Sequence, residues 1–291
     1  MDPTPACYSA AGNRFAILDG RGPRLPSTED AARTAVALCA REGLDGLLIA
    51  SADRTGAVRM AVVNRDGTPA EACGNGLRCV ARFAFEQGWA GESFVIETAS
   101  GPRSVVCRVV AGQVTSVRTS MGVPRRVASD EELEGPAGPV RADLVDLGNP
   151  HCVVWTEDVD RAPVREVGSA LQRHGRFPGG VNVSFAEVLG GRSSEDRAAS
   201  ATTGAAGRLP PGGWGVAVGG LRVRTWERGV GETAACGTGV SAVVVSAVRQ
   251  GRAVSPVQVR VRGGLLTVEW DGHGELFLEG PVERLSPAGA H

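Results

Sequence analysis

Short runs that alternate apolar and polar residues dominate the chain. "VRMAVV" from Val58, "LRVRTW" from Leu221 and "PVQVRVR" from Pro256 carry apolar side chains at every second position, the period of a strand with one buried face. "SFVIET", "SVVCRVV" and "TSVRTSM" predict further strands in the first half; "LLTVEW" and "ELFLEG" predict them in the second. "LDGLLIA" and "GVNVSFAEV" are apolar runs of strand length. Two longer runs differ. "CGNGLRCVARFAFEQG" from Cys73 and "CGTGVSAVVVSAVRQG" from Cys236 each open with Cys-Gly-x-Gly and stop at Gln-Gly, which predicts a helix closed by a C-terminal glycine.

These runs are two copies of one pattern. With Cys73 laid on Cys236, Ala72, Gly74, Gly76, Val80, Ala84, Gln87 and Gly88 fall on Ala235, Gly237, Gly239, Val243, Ala247, Gln250 and Gly251. Upstream in that register Asn64 meets Glu227, and Arg65 meets Arg228. "GNRFAIL" from Gly12 likewise matches "GNPHCVV" from Gly148, and the spacing from Asn13 to Gly46 equals that from Asn149 to Asn182. The second copy is longer by about the length of a Gly-, Ala- and Ser-rich segment, residues 190–220, which reads as a flexible surface insertion. A duplicated α/β chain is expected, with two pseudo-symmetric domains, each a strand-rich layer wrapped around one main helix. The first spans 1–125 and the second 126–277, with the boundary in the Pro-, Gly- and charge-rich stretch 121–140. A cleft between such domains is the usual place for a ligand.

Composition narrows the chemistry. All 31 Lys+Arg residues are Arg, so a pyridoxal phosphate Schiff base cannot form and a P-loop cannot be completed. The net charge of −1 leaves no footprint for nucleic acid or an anionic membrane. No apolar run approaches the roughly 20 residues that span a bilayer, and "MDPTPACYSA" has neither a basic nor an apolar signal region. A cytoplasmic protein is expected. Seven cysteines, without a C-x2-C pair, and four histidines argue against both a disulfide framework and a structural metal.

The chemistry therefore rests on the paired helix starts. A helix N-terminus offers unpaired N–H groups and partial positive charge, which suit a carboxylate and lower the pKa of a cysteine placed there. The glycines permit either close backbone approach or positive φ. Two such starts facing across a cleft make a thiolate–thiol pair around a held carboxylate, which suits inversion at the α-carbon of an amino acid without a cofactor. Cys7, Cys39, Cys79, Cys107 and Cys152 read as small core hydrophobes. A redox disulfide joining Cys73 to Cys236 is the alternative for that pair.

"AAGNRF", "NRDGTPAEACGNGLRC", "GNPHCV", "FPGGVNVSFAEV" and "ERGVGETAACGTG" occur in an order that resembles the diaminopimelate epimerase family over nearly the whole chain. The resemblance implies a duplicated mixed α/β barrel with a central helix in each domain, residues from about 278–291 returning to the first domain, and a homodimer. It implies Cys73 and Cys236 as the two bases, and the amides of Gly74, Asn75, Gly237 and Thr238 as the carboxylate cradle. It further implies Asn13, Asn64, Asn149, Asn182, Glu227 and Arg228 as substrate ligands, with His151 behind them; cofactor and metal are expected to be none. Arg14 stands where the family has an acidic residue, and Gly46 stands where some members have Gln. The rival readings are a racemase acting on another amino acid and a catalytically silent binding protein on the same fold.

Overall fold

The computed structural model describes residues 5–21, 27–53, 55–70, 73–189 and 220–286; the segment read as an insertion, apart from Gly220, lies outside the described residues. In the first half the strands are β1 (Ala6–Ala10), β2 (Asn13–Asp19), β3 (Gly46–Ala52), β4 (Val58–Asn64), β5 (Pro69–Ala70), β6 (Ser93–Thr98), β7 (Gly101–Val110) and β8 (Gln113–Gly122). Helices α1 (Thr28–Glu42) and α2 (Gly74–Glu86) lie among them. The second half repeats the order with β9 (Arg126–Gly135), β10 (Gly138–Asp146), β11 (Pro150–Trp155), α3 (Val164–Gln172), β12 (Asn182–Val188), β13 (Leu221–Glu227), β14 (Gly231–Thr233), α4 (Gly237–Arg249), β15 (Val257–Val261), β16 (Gly264–Glu269) and β17 (Leu276–Pro281). A last strand, β18 (Glu283–Leu285), follows.

All the strands join one mixed sheet. Strand β2 runs parallel to β3, and β11 parallel to β12. Strand β4 runs parallel to β6, and β13 parallel to β15. Parallel neighbours need crossovers, and the described helices supply them. The halves are sewn together where β8 pairs antiparallel with β17. Strand β18 turns back to pair with β1, setting Cys7 opposite Leu285. The predicted mixed α/β class, in two matched halves each around a helix, is the fold observed.

Burial explains which helix goes inside. Leu77, Val80, Phe83 and Ala84 of α2 pack against Tyr8, Phe15, Leu48 and Ile96. Val240, Val243, Val244 and Ala247 of α4 pack against Val153, Val223, Val259 and Leu266. Helix α4 is rich in valine, a modest helix former, and burial on all sides overrides that propensity. Both helices stop as their Gln-Gly endings predict: Gln87 and Gln250 cap them, and Gly88 (φ 67°) and Gly251 (φ 66°) follow in the left-handed region. Helices α1 and α3 lie outside the sheet. Helix α1 buries only Ala31, Ala35, Leu38 and Cys39; Ser27 caps its start and Gly43 its end.

Candidate active site

The strand register brings the polar residues to one rim. Asn13 opens β2, Gly46 opens β3 and Asn64 closes β4, with Gly46 paired opposite Asn64. In the second half Asn149 precedes β11, Asn182 opens β12 opposite His151, and Glu227 closes β13. The chain leaves β4 and β13 at this rim and enters α2 and α4, so both Cys-Gly-x-Gly turns stand beside these residues.

Cys73 and Cys236 are the N-cap residues of α2 and α4. The Cys73 Sγ accepts from the Gly76 N–H at 3.2 Å, and the Cys236 Sγ accepts from the Gly239 N–H at 3.3 Å. The two helix starts abut: a Cβ built on Gly74 would stand 3.9 Å from the Gly237 Cα, and Met121 of β8 packs under both glycines. Of the two uses of glycine considered from the sequence, close approach is the one realised. A Cβ on Gly239 would lie 2.9 Å from Ser184 Oγ and 3.1 Å from Thr225 Oγ1; one on Gly76 would lie 3.0 Å from Leu48 Cδ2. The N–H groups of Leu77 and Val240 close the first helical bonds onto Cys73 and Cys236. The amides of Gly74, Asn75, Gly237 and Thr238 belong to the turns ahead of them, at helix starts of the kind that suit an anion.

Electrostatics distinguish the thiols. Helix-start placement predicts a lowered pKa, but burial outweighs it at both. The Cys73 thiol is pushed up to about 11, with the Gly76 N–H and the Arg78 charge pulling the other way. The Cys236 thiol is pushed up further by burial and by the neighbouring Glu227 carboxylate, to which it donates a hydrogen bond. Burial also raises the pKa of Glu227, whose carboxylate accepts from Thr233 Oγ1. The Glu227 carboxylate raises both thiols and burial holds both protonated. At Cys73 the Arg78 charge opposes this and at Cys236, among the described residues, no cation does, so the thiolate forms more readily at Cys73.

The other predicted residues are held as follows. Asn182 accepts from the Arg228 N–H at 2.9 Å. Arg228 donates through Nη1 to the Gly179 carbonyl at 2.6 Å; it has no carboxylate partner among the described residues. Its stem lies so close to Gly180 (φ 76°) that a Cβ there would come within 2.9 Å of Arg228 Cδ, so "PGG" in "FPGGVN" is the seat of that arginine. Asn64 donates to Thr68 Oγ1 at 3.0 Å. His151 is 1% exposed and its Nε2 meets Asn149 Oδ1 at 3.1 Å, so Nε2 carries the proton. Burial, then the Arg228 charge, push its pKa down to about 3, which makes it a neutral imidazole.

Two departures noted in the sequence find their places. Arg14 is exposed and turns away from Asn13 towards Gly43 at the C-terminus of α1. The acidic group at Asn13 is Asp45, whose Oδ2 accepts from Asn13 Nδ2 at 3.4 Å and from the Arg14 N–H at 2.8 Å. At Gly46 a Cβ would stand 2.9 Å from the Val63 carbonyl oxygen. Sequence reasoning missed Asp45, Thr233, Met121 and Arg78. Only Arg78 had a visible signal, a charge within an otherwise apolar helical face. Among the described residues no three His, Cys, Asp or Glu side chains gather as a metal would require.

The fold, with its two matched α/β halves, is shared with solved structures of other proteins. A probable proline racemase from Agrobacterium radiobacter, crystallised with bound carbonate, is similar in fold at a TM-score of 0.66, with 17% identity, 99% of this chain and 93% of that chain covered. A hydroxyproline epimerase from Agrobacterium vitis, with bound trans-4-OH-L-proline, gives 0.63, with 19% identity, 97% of this chain and 90% of that one covered. The diaminopimelate epimerase family model matches residues 6–127 and 144–285. The diaminopimelate epimerase of Desulforudis audaxviator is 36% identical, covering 94% of both chains. That of Geobacillus thermodenitrificans is 35% identical, covering 94% of this chain and 91% of its own. The chain belongs to the diaminopimelate epimerase family and is an isomerase.

Proposed function

We propose that this protein inverts the α-carbon of diaminopimelate, LL to meso, by a two-base mechanism in the supply of lysine and peptidoglycan precursors. The observation that carries the reading is the meeting of two cysteine-capped helix starts at one rim with Asn13, Asn64, Asn149, Asn182, Glu227 and Arg228. The α-carboxylate rests on the amides of Gly74, Asn75, Gly237 and Thr238, which stabilise the charge that spreads into it as the α-proton leaves. The Cys73 thiolate removes the proton from one face, and the Cys236 thiol delivers one to the other. The pair exchanges protonation states with each turnover. Arg228, fixed by Gly179, receives the distal carboxylate, and Glu227 receives the distal ammonium. His151 orients Asn149 as a neutral donor.

The enzyme works in the cytoplasm as a homodimer on a small amino-acid substrate. Residues 1–125, joined by about 278–291, form one domain and 126–277 the other; closure between them excludes water from the thiols. Membership of the family and roughly one-third identity to its curated members support the substrate assignment. Proton exchange in D2O on diaminopimelate, lysine, glutamate and histidine, side by side, tests it. Exchange is expected on diaminopimelate, with lysine far slower because it leaves Arg228 unpaired. Faster exchange on any of the other three would assign the site to a different amino acid.

A further inference from the structure

Arg78 is a fully buried cation that the two-base scheme does not use. It lies on α2 at 0% exposure, and among the described residues it meets no carboxylate and its Nε has no hydrogen-bond partner. A buried charge left without a counterion costs stability, and an apolar side chain of similar volume would fit such a place at lower cost. The groups it does meet belong to the site. Nη2 donates to Asn75 Oδ1 at 2.6 Å, and Nη1 donates to the Gly74 carbonyl at 3.4 Å. On the other side of the guanidinium, β17 carries Gly280, where a Cβ would stand 3.2 Å from Arg78 Nε.

The contact with Asn75 sets that amide's orientation. With Oδ1 turned to the guanidinium, Nδ2 faces away from it, donating to the Asn13 Oδ1 and, at 3.2 Å, to the Ala235 carbonyl. Ala235 precedes Cys236. The Asn75 side chain is thus a strut from the first turn of α2 to the residue behind the opposite thiol, and Arg78 fixes its orientation.

We propose that Arg78 is the positioning residue of the cysteine pair: by holding Asn75 it keeps the Cys73 and Cys236 helix starts at the separation that one tetrahedral carbon requires. The inference rests on the two-base reading above for its catalytic consequence, though not for its geometric one. The Arg78 charge also opposes the effect of burial on Cys73, while Glu227 acts on both thiols in the reverse sense.

The test uses the full chain as wild type, Arg78→Met, Arg78→Lys, Asn75→Ala and the double variant Arg78→Met/Asn75→Ala. The first readout is kcat and KM for diaminopimelate. A misplaced reacting group costs on the order of 100-fold, so Arg78→Met should lower kcat by about 10- to 100-fold with KM within about twofold. Arg78→Lys, which keeps a cation able to reach Asn75 Oδ1, should recover part of the loss. The double variant should be within about threefold of Asn75→Ala alone, because both changes remove one strut and only the effect of the Arg78 charge on Cys73 is added. The second readout needs no turnover: diamide takes the two thiol hydrogens and leaves a Cys73–Cys236 bridge, and Arg78→Met should form that bridge at least about tenfold more slowly. Wild-type kcat and bridging rate in Arg78→Met, or losses that multiply in the double variant, overturn the proposal. A wild type that does not exchange diaminopimelate, yet bridges faster than Arg78→Met, refutes the substrate reading and leaves Arg78 in its role.

Discussion

Burial of His151 makes the protein's stability depend on pH in a way one substitution can isolate. The unfolded chain takes up a proton on this imidazole near the ordinary value of about 6.5, whereas the folded protein does so only at about 3. Between those values the unfolded state binds more protons, so stability falls as pH falls, and the loss levels off below the folded value. At pH 5 the gap is about 1.5 pH units; at roughly 1.4 kcal/mol per unit, His151 alone removes about 2 kcal/mol relative to pH 8. His151→Gln keeps an N–H donor for Asn149 and cannot titrate. Urea unfolding of wild type and variant at pH 8 and pH 5 gives two differences, and the carboxylates common to both cancel between them. The wild type should lose about 2 kcal/mol more than the variant on acidification. Losses equal to within about 0.5 kcal/mol would show that the folded protein accommodates the imidazolium, and the argument from burial would fall.

Cys73→Ala and Cys236→Ala should each abolish inversion while circular dichroism stays that of wild type; full racemisation by either would refute the two-base pairing. Because the helix starts already touch at Gly74 and Gly237, air oxidation should join Cys73 to Cys236 and stop turnover reversibly; peptide mapping and recovery on reduction check it, and activity in bridged enzyme would rule both thiols out as proton carriers. Gly239→Ala should cost about 1–3 kcal/mol and most of the activity, since its Cβ meets two packed hydroxyls, Ser184 and Thr225. Gly76→Ala should cost less stability, because the nearest atom its Cβ meets is the flexible end of Leu48, at 3.0 Å, with Cys73 Sγ at 3.2 Å; thermal melts of the two variants, compared directly, test that ranking, and kcat of Gly239→Ala checks the loss of activity.

Periodicity was sufficient for β3, β4, β6, β7, β8, β12, β13, β15, β16 and β17 and for α2 and α4, whose patterns are strong; it did not reveal β9 and β10, which lie partly in the Pro-, Gly- and charge-rich stretch read as a boundary. The repeat supplied what periodicity could not: it placed Asn64 with Glu227 and Gly46 with Asn182 at equivalent strand ends, the rim where the site lies. Helices α1 and α3 escaped notice because each buries only a narrow face. The thiol pKa direction was also misread: a helix start favours a thiolate, but the sequence does not reveal how deeply the thiols are buried. Arg14, which stands where the family resemblance calls for an acidic residue, lies on the face of β2 opposite Asn13 and turns towards Gly43.

The pairing of β18 with β1 gives the protein a ring-like order. Each half takes its first strand from just beyond the last strand of the other: β9 follows β8 across residues 123–125, and β18 follows β17 across Val282. A chain rewritten to start at Arg126 and run through β18 directly into β1 would encode the same sheet as two uninterrupted copies in tandem. In the natural order only the second half is contiguous. During synthesis, therefore, the edge of β1 around Tyr8 waits uncovered until Glu283–Leu285 emerge, and the half that carries Cys73 is the last to be sealed.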